Sequence, residues 1–203
     1  MARVHVHVVY CHPSERSFTA EVRDELLRGL ADAGHTTSVS DLYAMGFVTD
    51  MTEDEYLRDG FYDAAPPVAD DVLAEQHKVN AADALVFVYP VFWTEAPAKL
   101  VGWFDRVWRY GFAYGRDAGP IPMKTLDLAL FLAVAGHDEE TLAEQGRLAS
   151  MRNVMLDDRI HDRARTKELI VLGGTDRHDM ARRDANRARH LARVRELALG
   201  LGR

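Results

Sequence analysis

Three loops carry residues whose types and spacing suit chemistry on a bound small molecule: CHPSERS at 11–17, PVFWTEAP at 90–97 and AGHDEET at 135–141. In the first, Ser14, Ser17 and Thr19 stand where a helical pattern begins, and the free N–H groups and partial positive charge of a helix N-terminus suit a phosphate. Ordinary capping by Ser17, with Pro13 stiffening the turn, accounts for the same residues. The second loop sets Phe92 and Trp93 between Pro90 and Pro97, a rigid frame that offers backbone amides and an indole face to a flat aromatic ligand. Packing of Trp93 under a neighbouring segment is the alternative. The chain has neither the lysine-containing phosphate loop of nucleotide hydrolases nor a GxGxxG fingerprint, so nucleoside-triphosphate hydrolysis and an ordinary nicotinamide-binding Rossmann domain lose support.

Other candidates read as structure. His5 and His7 alternate along a strand with no carboxylate or thiol cluster beside them, so they mark one sheet face and no metal site is expected. Cys11 is a small buried side chain. DDRIHDRAR, 157–165, reads as a solvated surface of mixed charge, and the arginine-rich 181–195 stretch as an amphipathic packing helix with Leu191, Val194, Ala198 and Leu201 along one stripe.

The elements that position the loops alternate between strand and helix, the pattern of an α/β protein with a parallel sheet. Strands are predicted at 3–10, 36–40, 84–90, 126–136 and 167–174. The run at 84–90, ALVFVYP, is apolar throughout, as a central strand covered on both faces must be. Helices are predicted at 17–33, 70–80, 96–111 and 179–199. The stretch 41–71 is the longest irregular section, and its aromatics and paired prolines predict a structured excursion that covers something. Ligands in such sheets lie beyond the carboxyl ends of the strands, where the three loops fall.

With 203 residues and 47% hydrophobic content, residues 1–203 read as one domain that builds a core without disulfides or metal. A formal charge of −7 disfavours nucleic acid and anionic lipid as partners. A lone cysteine, no signal-peptide core and no apolar run of membrane-spanning length lead us to expect a cytoplasmic protein without membrane insertion.

Taken in order along the first 120 or so residues, HPSERSF, SDLYAMGF, LAEQHKVNAADALVFVYP, the tryptophan loop with its proline, KLVGWFDRVW and YGFAYG resemble the NAD(P)H:quinone oxidoreductases, the DT-diaphorase-like family of flavodoxin-like flavoenzymes. The resemblance implies a doubly wound five-stranded parallel sheet in the order 2-1-3-4-5 with helices on both faces, FAD or FMN as cofactor, and NAD(P)H as cosubstrate. It implies two-electron transfer by a ping-pong mechanism to a quinone-like acceptor, and a homodimer with the active site at its interface.

Carried over by position, the resemblance assigns flavin binding to His12, Ser17, Phe18 and Thr19 in the first loop, to Gln76, and to Pro90, Val91, Phe92, Trp93 and Thr94. Tyr114 matches the aromatic residue that closes over the partner's substrate pocket. Where the family has Thr-Thr-Gly-Gly, this chain has Ala133, Val134, Ala135 and Gly136, so Ala135 and Gly136 are expected to reach the flavin through backbone only. A tyrosine and a histidine that assist flavin reduction in the family fall at Thr141 and Arg147. Arg147 is therefore expected to stabilise negative charge on the reduced ring instead. The apolar face with Trp103, Trp108 and Phe112 is a candidate for the dimer interface. Two other expectations stay open: a one-electron flavodoxin carrier, and an ancillary subunit of a potassium-efflux transporter, a role some relatives have. A phospho-acceptor receiver domain wants acidic residues where Cys11 and His12 stand.

Overall fold

In the computed structural model, which describes residues 3–202, β3 (Ala84–Pro90) is buried at every position. It pairs in parallel with β1 (His5–Tyr10) on one side and β4 (Leu126–Val134) on the other. β2 (Thr36–Asp41) and β5 (Ala164–Leu172) complete a five-stranded sheet in the order β2-β1-β3-β4-β5, the order implied by the resemblance.

Alternation along β3 divides the interior in two. Leu85, Phe87 and Tyr89 join a core with Leu100, Trp103 and Phe104 of α4 (Ala98–Val107) and Val79 of α3 (Asp70–Ala81). Ala84, Val86 and Val88 join another, with Leu26 and Leu30 of α1 (Phe18–Asp32) and Val194 and Ala198 of α7 (Met180–Gly200). Helices therefore cover both sheet faces. Among the described residues, no helix is long and apolar enough to cross a membrane.

The 41–71 excursion is structured. It contains α2 (Glu53–Gly60), begun by a capping box in which Thr52 and Glu55 satisfy each other's backbone N–H groups. Arg106 of α4 anchors it from below: the buried guanidinium donates to Glu55, Asp71 and the Val48 carbonyl. Gly102 lets the two segments touch, since a Cβ there would lie 2.6 Å from Thr49 Cβ and 2.7 Å from its carbonyl oxygen.

Three expectations need correction. Trp103, Trp108 and Phe112 are packed inside the chain, at 0%, 9% and 0% exposure, so they form no surface for a partner. The 157–165 stretch is only partly solvated: Ile160 and Ala164 are buried, and Arg163 donates to the Ala113 carbonyl at 2.7 Å. A π-helical segment, Asn153–Ile160, packs here and accepts the Trp108 indole N–H on Arg159 O. β5 also begins three residues before the predicted start, and after the buried Ala164 it carries the exposed Arg165 and Glu168 and the half-buried Lys167 along a sheet edge.

His5 and His7 do share one face. Their ring nitrogens lie within hydrogen-bond distance of the Thr36, Ser38 and Ser40 hydroxyls of β2. Among the described residues, no group of His, Cys, Asp or Glu side chains is placed to hold a metal ion.

Candidate functional site

The candidate site lies beyond the carboxyl ends of β3 and β4. After Pro90 the chain continues its pairing for one residue, Val91 N–H donating to Val134 O at 2.8 Å, and then doubles back. Phe92 and Glu95 exchange backbone hydrogen bonds at 2.8 and 2.9 Å across a two-residue turn. The turn residues Trp93 and Thr94 have φ of 51° and 70°. Two positive φ values in succession are what tight hairpin turns require and what Asn-Gly supplies easily. A bulky indole and a β-branched residue there cost on the order of 1–3 kcal/mol each, and such strain clusters at functional sites. The result is a fully exposed Trp93, at 100%. Packing of Trp93 under the excursion is thereby excluded.

The opposite wall comes from the loop after β4. Thr175 pins it by donating its N–H and hydroxyl to Ala135 O. Ala135 N–H donates to Leu172 O, whereas among the described residues neither Gly136 nor His137 has an acceptor for its N–H. Beyond them α5 (Glu139–Glu144) contributes the buried Leu142, and α6 (Arg147–Arg152) opens with Arg147, presented by Gly146 at φ 71°. Val91, Trp93, Thr94, Gly136, His137 and Arg147 line a cleft of about 290 Å³, with Ala135 and Leu142 at its floor. That is the lower end of the roughly 300–1,000 Å³ range of small-molecule sites, and enough for a flat ring.

The family model described as the flavodoxin-like fold matches residues 4–197. The chain belongs to that flavodoxin-like family. A solved NAD(P)H:quinone oxidoreductase from Methanothermobacter marburgensis is 40% identical and superposes with a TM-score of 0.90, covering 100% of this chain and 98% of its own. Ribosyldihydronicotinamide dehydrogenase (quinone) from Homo sapiens is 33% identical over 163 residues, 72% of this chain and 69% of that protein. The Rattus norvegicus counterpart is 36% identical over 127 residues, and the match spans just over half of that relative, 55%.

The quinone-reductase family implies a flavin cofactor, and the chain's donors fit one. The first loop leaves the N–H groups of Phe18 and Thr19 without an intrahelical acceptor, while Ala20 N–H donates to Ser17 Oγ at 3.1 Å. Ser17 therefore caps the helix and its neighbours' amides remain for an anion. Side-chain roles are narrower: Thr19 is 2% exposed, Phe18 packs beneath the Arg187 guanidinium, and His12 Nδ1 accepts the Ser14 N–H.

Two carried-over residues stand apart from the cleft. Gln76 is 2% exposed and donates its amide to Val107 O at 3.1 Å, inside the core. Within one chain it is a packing residue, because it shares the buried face of α3 with Val72, Glu75 and Val79. Tyr114 packs edge-on against Tyr110, which does the same with Tyr62. Burial pushes the Tyr114 phenol up to about 12. Pro90 is buried as the last residue of β3, and Phe92 is half-exposed beside Trp93. Sequence reasoning missed His137 and Leu142. Both lie in or next to the AGHDEET loop that the strand pattern singled out, and an imidazole directly after the β4 loop glycine was the available signal.

Proposed function

We propose that the protein is a flavin-dependent NAD(P)H:quinone oxidoreductase, residues 1–203 acting as one flavin-binding domain. NAD(P)H, a proton and a quinone yield NAD(P)⁺ and the hydroquinone, with ping-pong kinetics because donor and acceptor share one cleft. The observation that carries this reading is the strained turn that holds a fully exposed Trp93 across a cleft from Arg147.

A bound flavin would supply two-electron chemistry. The chain's own part is placement. The Phe18 and Thr19 amides take the phosphorylated tail, Val91, Trp93 and Thr94 run along the ring, and the N–H groups of Gly136 and His137 donate to its polar edge. Arg147 puts a positive charge where negative charge accumulates. FAD is the favoured form: a second cleft of about 200 Å³ shares His137 with the first, and its Asp176 and Asp179 carboxylates suit ribose hydroxyls.

The dimer surface moves to the excursion. Tyr56, Phe61 and Tyr62 are 65%, 77% and 67% exposed, which leaves an aromatic patch beside the Tyr110–Tyr114 pair. A second copy covering it would bring Tyr114 to the partner's cleft. A cytoplasmic setting suits the free, buried Cys11. The test is to purify the protein, release any chromophore, identify it by mass, and follow NAD(P)H oxidation with a quinone. A colourless protein that takes up neither flavin refutes the reading. NAD(P)H oxidation that requires no acceptor turnover refutes the quinone assignment.

A further inference from the structure

We propose that the cleft selects flat aromatic acceptors carrying an anionic substituent, a sulfonate, carboxylate or phosphate, and that Arg147 reads that charge. The inference rests on the reductase reading and adds the substrate class to it.

The chain carries a formal charge of −7, yet no carboxylate lines this cleft. Its polar lining is Thr94, His137 and Arg147, set against the indole of Trp93. Of the nearby carboxylates, Asp138, Glu139 and Glu95 are already engaged, and Glu140 and Glu144 point to solvent outside the cleft's lining. Asp138 accepts the Thr141 N–H at 2.8 Å and pairs with Arg182, and its carboxyl is held down to about 2 by those Thr141 contacts and by Arg182. Glu139 pairs with Arg152, and Glu95, behind the strained turn, pairs with Arg159 and accepts the Ala96 N–H.

Arg147 differs from all these arginines. Among the described residues it takes part in no ion pair and donates no side-chain hydrogen bond, although it is exposed at the mouth of the cleft. A guanidinium presents a planar fork that matches a sulfonate or carboxylate through two parallel hydrogen bonds. An acceptor stacked on the open face of the bound flavin at the mouth of the cleft would turn such a substituent toward that fork. Cationic acceptors gain nothing here, and neutral ones gain only the stacking.

The experiment uses the flavin-loaded protein and two ligands of one ring system, an anthraquinone sulfonate and its neutral hydroxymethyl counterpart. Calorimetry without NAD(P)H gives the two dissociation constants, and steady-state turnover gives KM and kcat for each. The sulfonate is expected to bind about fivefold tighter, the size of one solvent-exposed charge pair, and added salt is expected to shrink the margin. Arg147→Gln should remove the preference, bringing the sulfonate-to-neutral ratios of dissociation constant and of KM to about one, whatever it does to kcat for both acceptors. Arg147→Lys should keep part of the preference. Equal affinities in the unaltered protein, or a preference that survives Arg147→Gln, overturn the proposal. A protein that turns over both acceptors with equal KM leaves the reductase reading standing and sinks this one. A protein that binds the sulfonate selectively but never oxidises NAD(P)H does the reverse.

Discussion

The imidazole of His7 and the carboxylate of Glu75 are joined through a single hydroxyl. Ser40 Oγ donates to Glu75 Oε1 at 2.9 Å and lies 3.3 Å from His7 Nε2. Lys78 and the Trp103 indole complete the carboxylate's partners, so a fully buried charge is neutralised and hydrogen-bonded on both oxygens. The arrangement sets the His7 tautomer. With the Ser40 proton given to Glu75, His7 Nε2 donates to Ser40 and Nδ1 accepts from Ser38.

Burial holds His7 down to about 4 from its ordinary 6.5, opposed by Glu75 and reinforced by Lys78 and His5. Its neutral form is the folded form. Below 6.5 the unfolded chain takes up a proton that the folded one refuses, so this stability is complete above 6.5 and is lost as pH falls toward 4. Urea unfolding at about pH 7.5 and about pH 5 should show the protein losing about 2 kcal/mol more than His7→Gln over that interval. Equal losses would mean that His7 is not the group responsible.

The Trp93–Thr94 turn gives a prediction of opposite sign. Replacing the pair by Asn-Gly relieves both positive-φ positions and should stabilise the chain by about 2 kcal/mol, a melting temperature roughly 5 °C higher. The same change removes the stacking surface, and flavin affinity should fall about tenfold in a fluorescence titration. A variant that is more stable and binds flavin as before would contradict the role given to Trp93.

Arg106 ties the excursion to α4 through two carboxylates and a carbonyl. Arg106→Leu strands Glu55 and Asp71, and denaturant titration should record a loss of about 3 kcal/mol. Hydrogen exchange should locate the loosening in α2. Protection unchanged there would mean that the rest of the excursion holds itself.

Burial pushes the Cys11 thiol up to about 12. A thiol-reactive dye at neutral pH should leave the folded protein unlabelled and modify it promptly in denaturant. Labelling at comparable rates in both states would place Cys11 at the surface.

Much of this molecule is legible in its sequence because two periods govern it. ALVFVYP can only be a strand buried on both faces, and the loops beyond the strand ends mark the cleft before any coordinate does. Some features are legible only when each residue is read with its neighbours. Val72, Glu75, Gln76 and Val79 recur at helical spacing, which places Gln76 on the buried face of α3 within one chain. Thr52 and Glu55 spell a capping box inside what reads as irregular chain. The strained turn could not be found this way, since Trp-Thr is a poor sequence for it and tertiary structure overrides local preference there.

The sheet is a partition. Side chains on its two sides belong to separate cores, and the cleft draws on only one of them, the side bearing α3 to α6. Past the first turn of α1, the interface between α1 and α7 contributes nothing to the lining of that cleft. Substitutions there should add to substitutions near the cleft with little coupling. The chain can thus be hardened on one side while the other is re-cut for a new guest.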